Sequence, residues 1–136
     1  MKAILFSLLL LATLSFAACK KDDKATPQSQ ITNATITLKN TNGTAASGIT
    51  VYAYDQDTWG VLGDDAQFAD GQATSDASGN AEFSNIEYTN SFTSLNNNQN
   101  NFRFSAHYTL GGASKKKVSS VTVNKGNHVT LTITLD

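Results

Sequence analysis

Cysteine, proline, tryptophan and methionine each occur once in the 136 residues, and histidine only twice. A single cysteine excludes an intramolecular disulfide, so a fold here must hold by packing. Zinc is excluded on the same ground, because His107 and His128 lie near neither Cys19 nor each other in sequence. Ten basic residues against eleven acidic ones leave a net charge of −1. That balance gives no basic stripe for nucleic acid to follow. No apolar run reaches the roughly 20 residues that cross a bilayer as a helix. The longest, from Ala3 to Phe16, is interrupted by Ser7, Thr13 and Ser15. Serines and threonines abound, but none is marked by a neighbouring histidine and acid as a nucleophile.

What is present begins with an address. Lys2 precedes the apolar run, and small residues follow it, which is the pattern of a secretory signal over residues 1–18. Ala17-Ala18-Cys19 then resembles the lipobox of bacterial lipoproteins, with Phe16 where Leu is usual. The resemblance implies that Cys19 is lipidated and becomes the mature N-terminus. Multiple acyl chains anchor stably where one does not. The competing expectation, ordinary cleavage after Ala17, leaves Cys19 as a stray thiol in an oxidising compartment. Lys21-Asp22-Asp23 resembles the surface-export signal of Bacteroidota lipoproteins, which implies an outer-membrane protein facing outward. Residues 19–30 are polar, carry the only proline, Pro27, and read as a tether.

From Ile31 to Asp136 the hydrophobic period is two. Ala34, Ile36 and Leu38 alternate with polar residues, as do Ile49, Val51 and Ala53. The same holds for Phe102 to Leu110 and for Val129 to Leu135. Such alternation predicts half-buried strands, and no helix is predicted in the domain. Asn42-Gly43, Gly48, Asp76–Asn80, Gly111-Gly112 and Lys125-Gly126-Asn127 supply turn chemistry, the last two as hairpins. Val118 is out of phase with Val121 and Val123, which predicts a bulge near Ser119-Ser120. The fold expected is all-β, a single antiparallel Ig-like sandwich of about seven strands. Ser91 to Asn101, with its run of asparagines, is expected to be a polar loop that does not pack.

The order of Asn42-Gly43, Ile49–Tyr52, then Thr74–Ile86, a long aromatic strand and a Thr-rich last strand resembles the transthyretin-like and carboxypeptidase-regulatory-like sandwiches. It is also similar to the B-type repeats of collagen adhesins. These resemblances imply a fold and leave function open. The adhesin repeats imply a Lys–Asn cross-link, but the promoting acid's position falls near Ala106 and no Asn follows Leu135, so no Lys39–Asp136 bond is expected. The terminal Tyr-Arg-Gly-Ser motif of hydroxyisourate hydrolases is replaced by Thr132–Asp136.

Chemistry concentrates between Asp55 and Asp70. Asp55-Gln56-Asp57 opens like a calcium loop, but Trp59 and Ala66 stand where ligands belong. An irregular calcium site from Asp55, Asp57, Asp64, Asp65 and Asp70 is the alternative to a solvated loop. The expectation is no metal and no cofactor beyond the lipid on Cys19. Tyr52 and Tyr54 fall on the outward face of their strand, close to Trp59, Asp55 and Asp57. These five residues form a candidate sugar-binding face, with rings to stack on a pyranose and acids to take its hydroxyls. Alternatively Trp59 folds back and covers the tyrosines. Lys115-Lys116-Lys117 reads as protection of a strand edge. The function expected is a non-enzymatic surface module that binds a glycan or a protein. A structural coat element, or an accessory domain to a hydrolase or carboxypeptidase, is the alternative.

Overall fold

A computed structural model describes residues 30–136. Cys19, Lys21, Asp22 and Asp23, and with them the signal and nearly all of the tether, lie outside the described residues. Seven strands form two sheets. They are β1 (Asn33–Asn40), β2 (Thr50–Tyr54), β3 (Gly71–Thr74), β4 (Asn80–Phe83), β5 (Gln99–Leu110), β6 (Ala113–Asn124) and β7 (His128–Leu135). The first sheet runs β4-β1-β7 and the second β3-β2-β5-β6. This is the all-β sandwich that the alternation predicts.

The inward residues are those of the period-two reading. Ala34, Ile36 and Leu38 of β1 and Ile133 and Leu135 of β7 meet Val51, Ala53, Phe102, Phe104 and Ala106 of the second sheet. Phe83 crosses edge-on to Phe104 with ring centres 5.2 Å apart. Fully burying side chains of this size is worth about 1.5–3 kcal/mol each. Glu87 ties down the entry to β1, accepting from the Thr32 backbone N–H at 2.9 Å and its hydroxyl at 2.7 Å.

Four expectations are corrected. First, the sandwich is not wholly antiparallel: β7 runs parallel to β1, from Asn33 opposite His128 to Asn40 opposite Leu135. Alternation specifies which face a residue takes and is silent on strand direction. Second, Lys125-Gly126-Asn127 closes no hairpin, because it carries the chain from the second sheet to the first. Third, β6 has no bulge. Its register with β5 is continuous from Gln99 opposite Asn124 to Leu110 opposite Ala113. Val118 is out of phase because it lies opposite Ser105 on the outer face, while Val121 lies opposite Phe102 on the inner one.

Fourth, the domain contains a helix, α1 (Gln56–Leu62), with 3-10 turns at Ala66–Phe68 and Ser94–Asn96. None of the residues of α1 is buried, so no apolar stripe announces it. Its ends are defined by caps alone. Asp55 caps it by accepting from Thr58 N–H at 2.9 Å, and Gly63, at φ 65°, returns its N–H to Trp59 C=O.

Candidate functional site

Two arrangements bring polar side chains together, and both involve the segment between β2 and β3. The first is a hub on the outer face of the second sheet. Register places Tyr54 opposite Arg103, Tyr52 opposite Ser105 and Thr50 opposite His107 on β2 and β5. The chain after α1 folds back over this face and inserts Asp64. Its Oδ1 accepts from the Tyr54 hydroxyl at 3.1 Å and lies 3.1 Å from His107 Nε2, while Oδ2 accepts from Ser105 Oγ at 2.8 Å. Lys116 of β6 donates to the Asp64 main-chain carbonyl at 2.7 Å. Burial pushes the Asp64 carboxyl upward. The hydrogen bonds from Ser105, His107 and Tyr54 outweigh it and hold the group below the usual carboxylate range. Burial, reinforced by the Asp64 hydrogen bond and charge, pushes the Tyr54 phenol well above its ordinary value.

Ser105, His107 and Asp64 are types that build hydrolytic triads, but their order here is wrong for one. A nucleophilic serine must give its proton to histidine, with the acid behind the histidine. Here both Ser105 and His107 address the carboxylate, and Ser105 is fully buried. The hub clasps the 55–70 segment to the sheet.

This geometry separates the five residues of the candidate sugar face. Tyr54 is fully buried, and Trp59 lies edge-on against it with ring centres 5.4 Å apart. The Arg103 guanidinium sits 5.4 Å from the Trp59 ring centre. Tyr52 packs on the His107 ring at 4.6 Å. Asp55 is buried and accepts from Ser91 Oγ at 2.7 Å besides capping α1. Only Asp57 is exposed. The tyrosines thus form no open stacking platform, because Trp59 and Asp64 cover the face that the alternation places outward.

The aspartates are likewise dispersed. Asp70 accepts from the Asp55 N–H at 2.7 Å and from Thr58 Oγ1 at 2.9 Å, and Asp65 caps the first 3-10 turn through Gln67 N–H. Burial raises the Asp70 carboxyl, against the lowering by these bonds. Among the described residues no three His, Cys, Asp or Glu side chains gather as metal ligands.

The second arrangement is a groove between the start of α1 and the asparagine-rich segment. It encloses about 430 Å³ and is lined by Gln56, Asp57, Asn90, Thr93, Leu95, Asn96, Gln99 and Asn100. The segment expected not to pack is in fact knitted together. Asn100 Nδ2 donates to Ser91 C=O at 2.6 Å, and its Oδ1 accepts from the Gln56 N–H at 3.1 Å. Asn96 Nδ2 donates to the same carbonyl at 2.9 Å, and its Oδ1 accepts from Thr93 N–H at 2.8 Å. Ser91 and Asn100 are buried. Among the described residues, the three non-glycine positions with positive φ are Asn97 and Asn98 within this segment and Asn90 immediately before it. Asparagine tolerates that region better than most residues. Composition alone hides this order, because an amide can satisfy a backbone as readily as it can face water.

Compared with known protein families and with curated proteins, the chain matches none.

Proposed function

We infer that the chain is a lipid-anchored, non-catalytic binding protein of the outer-membrane surface, whose transthyretin-like sandwich offers the amide groove to a glycan. The observation that carries the reading is the lining of that groove. Gln56 and Asn90 bring amide donors and acceptors that no bond among the described residues uses, Gln99 its carbonyl oxygen and Asp57 a further acceptor, while the Asn96 and Asn100 amides are bonded within the segment. Neutral sugars present hydroxyls that both give and accept hydrogen bonds, which such a lining matches. Leu95, almost wholly exposed at the rim, offers an apolar surface to the C–H face of a sugar ring. The bonds among Ser91, Asn96 and Asn100 hold the groove in shape, which lowers the ordering cost of binding.

A glycan array followed by titration calorimetry tests this. The parent protein is expected to retain a neutral oligosaccharide, and Asp57→Ala with Leu95→Ala to weaken it at least tenfold, about 1.4 kcal/mol. Neither side chain forms a hydrogen bond that the fold uses, so the melting temperature should hold. Failure of the parent to retain any glycan removes the proposal.

A further inference from the structure

We propose that β6 is a self-association edge, through which two copies of the chain pair antiparallel about a two-fold axis at Ser119. β6 ends the second sheet, with β5 on one side and no strand on the other among the described residues. It is twelve residues long and its register is unbroken. Long, regular, exposed edges template pairing with another chain, and proteins blunt them with short strands, bulges or charge. β6 is neither short nor bulged. Its charge is confined to Lys115-Lys116-Lys117, and Val118 to Asn124 is uncharged and rich in β-branched residues.

The lysines are weak guards. Lys116 donates to Asp64 C=O, Lys117 donates to Asp136 Oδ1 at 2.7 Å, and Lys125, just past the strand, lies 3.6 Å from Glu87 Oε2. Each of these three is set against an acceptor or acid of its own chain, which leaves Lys115 as the exposed lysine of the strand with no such partner among the described residues.

The hairpin fixes which backbone groups are free. Gly111-Gly112, at φ 58° and 79°, form a two-residue turn between Leu110 and Ala113. In such a hairpin the flanking pair exchanges both hydrogen bonds, and the pattern then alternates. Odd-numbered residues of β6 therefore address β5. Ser114, Lys116, Val118, Ser120 and Thr122 direct their N–H and C=O to the open side, and Asn124 its N–H, its C=O accepting from Asn127 N–H at 3.1 Å.

A two-fold pairing must match these even-numbered residues with each other, which leaves few registers. Centring on Ser120 sets Lys115 opposite Lys125, and centring on Lys117 sets that lysine opposite itself. Centring on Ser119 pairs Ser114 with Asn124, Lys116 with Thr122 and Val118 with Ser120. Lys115 and Lys117 then face Val123 and Val121, and Lys125 faces Ala113. Centring on Val118 or on Ser119 overlaps eleven of the twelve residues with no lysine opposite a lysine, but the Val118 register leaves Lys117 of the two copies as diagonal neighbours, about 7–8 Å apart, and the Ser119 register separates them. A two-fold uses the same surface twice, so one strand supplies both halves. The two four-stranded sheets become one continuous sheet.

The register gives a sharp test with the full chain in intact cells. Ser119 faces its own copy in a non-hydrogen-bonded pair, where Cα atoms lie about 4.5 Å apart, within disulfide range. Ser119→Cys should therefore oxidise to a species of twice the chain mass, while Thr122→Cys and the parent, whose own Cys19 controls for its thiol, should not. Adding Ser120→Pro should abolish the link. The Ser120 N–H serves only the open side, so the variant should keep its Trp59 fluorescence. Absence of the Ser119→Cys dimer, equal linking by Thr122→Cys, or linking only to a chain of different mass would overturn the proposal.

Discussion

Asp64 receives three side chains on two carboxylate oxygens, so one substitution probes the whole clasp. Asp64→Ala should cost about 2–3 kcal/mol, the sum of hydrogen bonds worth about 1 kcal/mol each. The pH dependence has a definite sign. The carboxyl is held below its ordinary value, so its contribution is present above the ordinary aspartate pKa of about 3.9 and is lost as pH falls through the depressed value. Asp70 acts oppositely: its carboxyl is raised, and acidification relieves its burial. Glu87, lowered mainly by the Thr32 hydroxyl and N–H, adds to the acid loss. The difference in melting temperature between parent and Asp64→Asn isolates the clasp. It should be largest at neutral pH and shrink as pH falls below the ordinary aspartate value of about 3.9; a pH-independent difference refutes the assignment. Trp59→Ala addresses the neighbouring contact. Trp59 is half-buried over Tyr54, so the cost should be about 2 kcal/mol, less than for a fully buried ring, with a fall of about 8 °C in Tm. Glycan affinity should not change. The outward phase of Tyr52 and Tyr54 was legible from alternation. The burial of Tyr54 was not, because its cover comes from a carboxylate ten residues on, and no local period reports that.

At the scale of elements, the strands were legible where one face is wet. β1, β5 and β7 follow their alternation, since each sends every second side chain into the core. α1 was not legible, since a surface helix of one to two turns with no buried residue leaves only its caps as evidence. The turn before β4 shows how a short element can be decisive. Asp76 Oδ1 accepts from the N–H groups of Ser78 and Asn80, and Gly79 takes φ 83°. The backbone there is pressed against β1: Leu38 N–H donates to Gly79 C=O at 2.7 Å, and a Cβ on Gly79 would lie 2.4 Å from Leu38 C=O. Gly79→Ala therefore combines a left-handed backbone with a clash against main chain that cannot swing aside. We expect a loss of about 3 kcal/mol or more, checked by denaturant unfolding. Gly43→Ala shares the positive φ but meets nothing within 4 Å, and should cost only about 1 kcal/mol. Equal losses would mean that conformation alone, without the contact to β1, sets the cost.

For the whole molecule, the position of the groove relative to the chain's entry matters more than its lining. Asn33 N–H donates to Asn127 C=O, and Gly126 N–H donates to the Thr32 hydroxyl, so the chain enters the sandwich beside the turn that follows β6. Gln99, which lines the groove, lies opposite Asn124 at that same end. The groove therefore lies at the end of the sandwich where Thr32 and Asn33 enter it. If Cys19 carries the lipid, the clearance between groove and membrane is set by residues 20–30. Whatever their conformation, these span at most about 40 Å. Cys19→Ala should first move the protein from the detergent phase to the aqueous phase, which establishes the anchor. Deleting residues 24–28 should then lower glycan capture by whole cells severalfold. Surface exposure to added protease should be unchanged, and so should the affinity of the purified protein. The affinity of the purified variant controls for its fold, so a loss confined to cells is one of access. Undiminished capture by cells carrying the deletion would show that the ligand approaches from a side other than the tethered end. That outcome would leave the groove standing while removing the membrane as a limit on what it can reach.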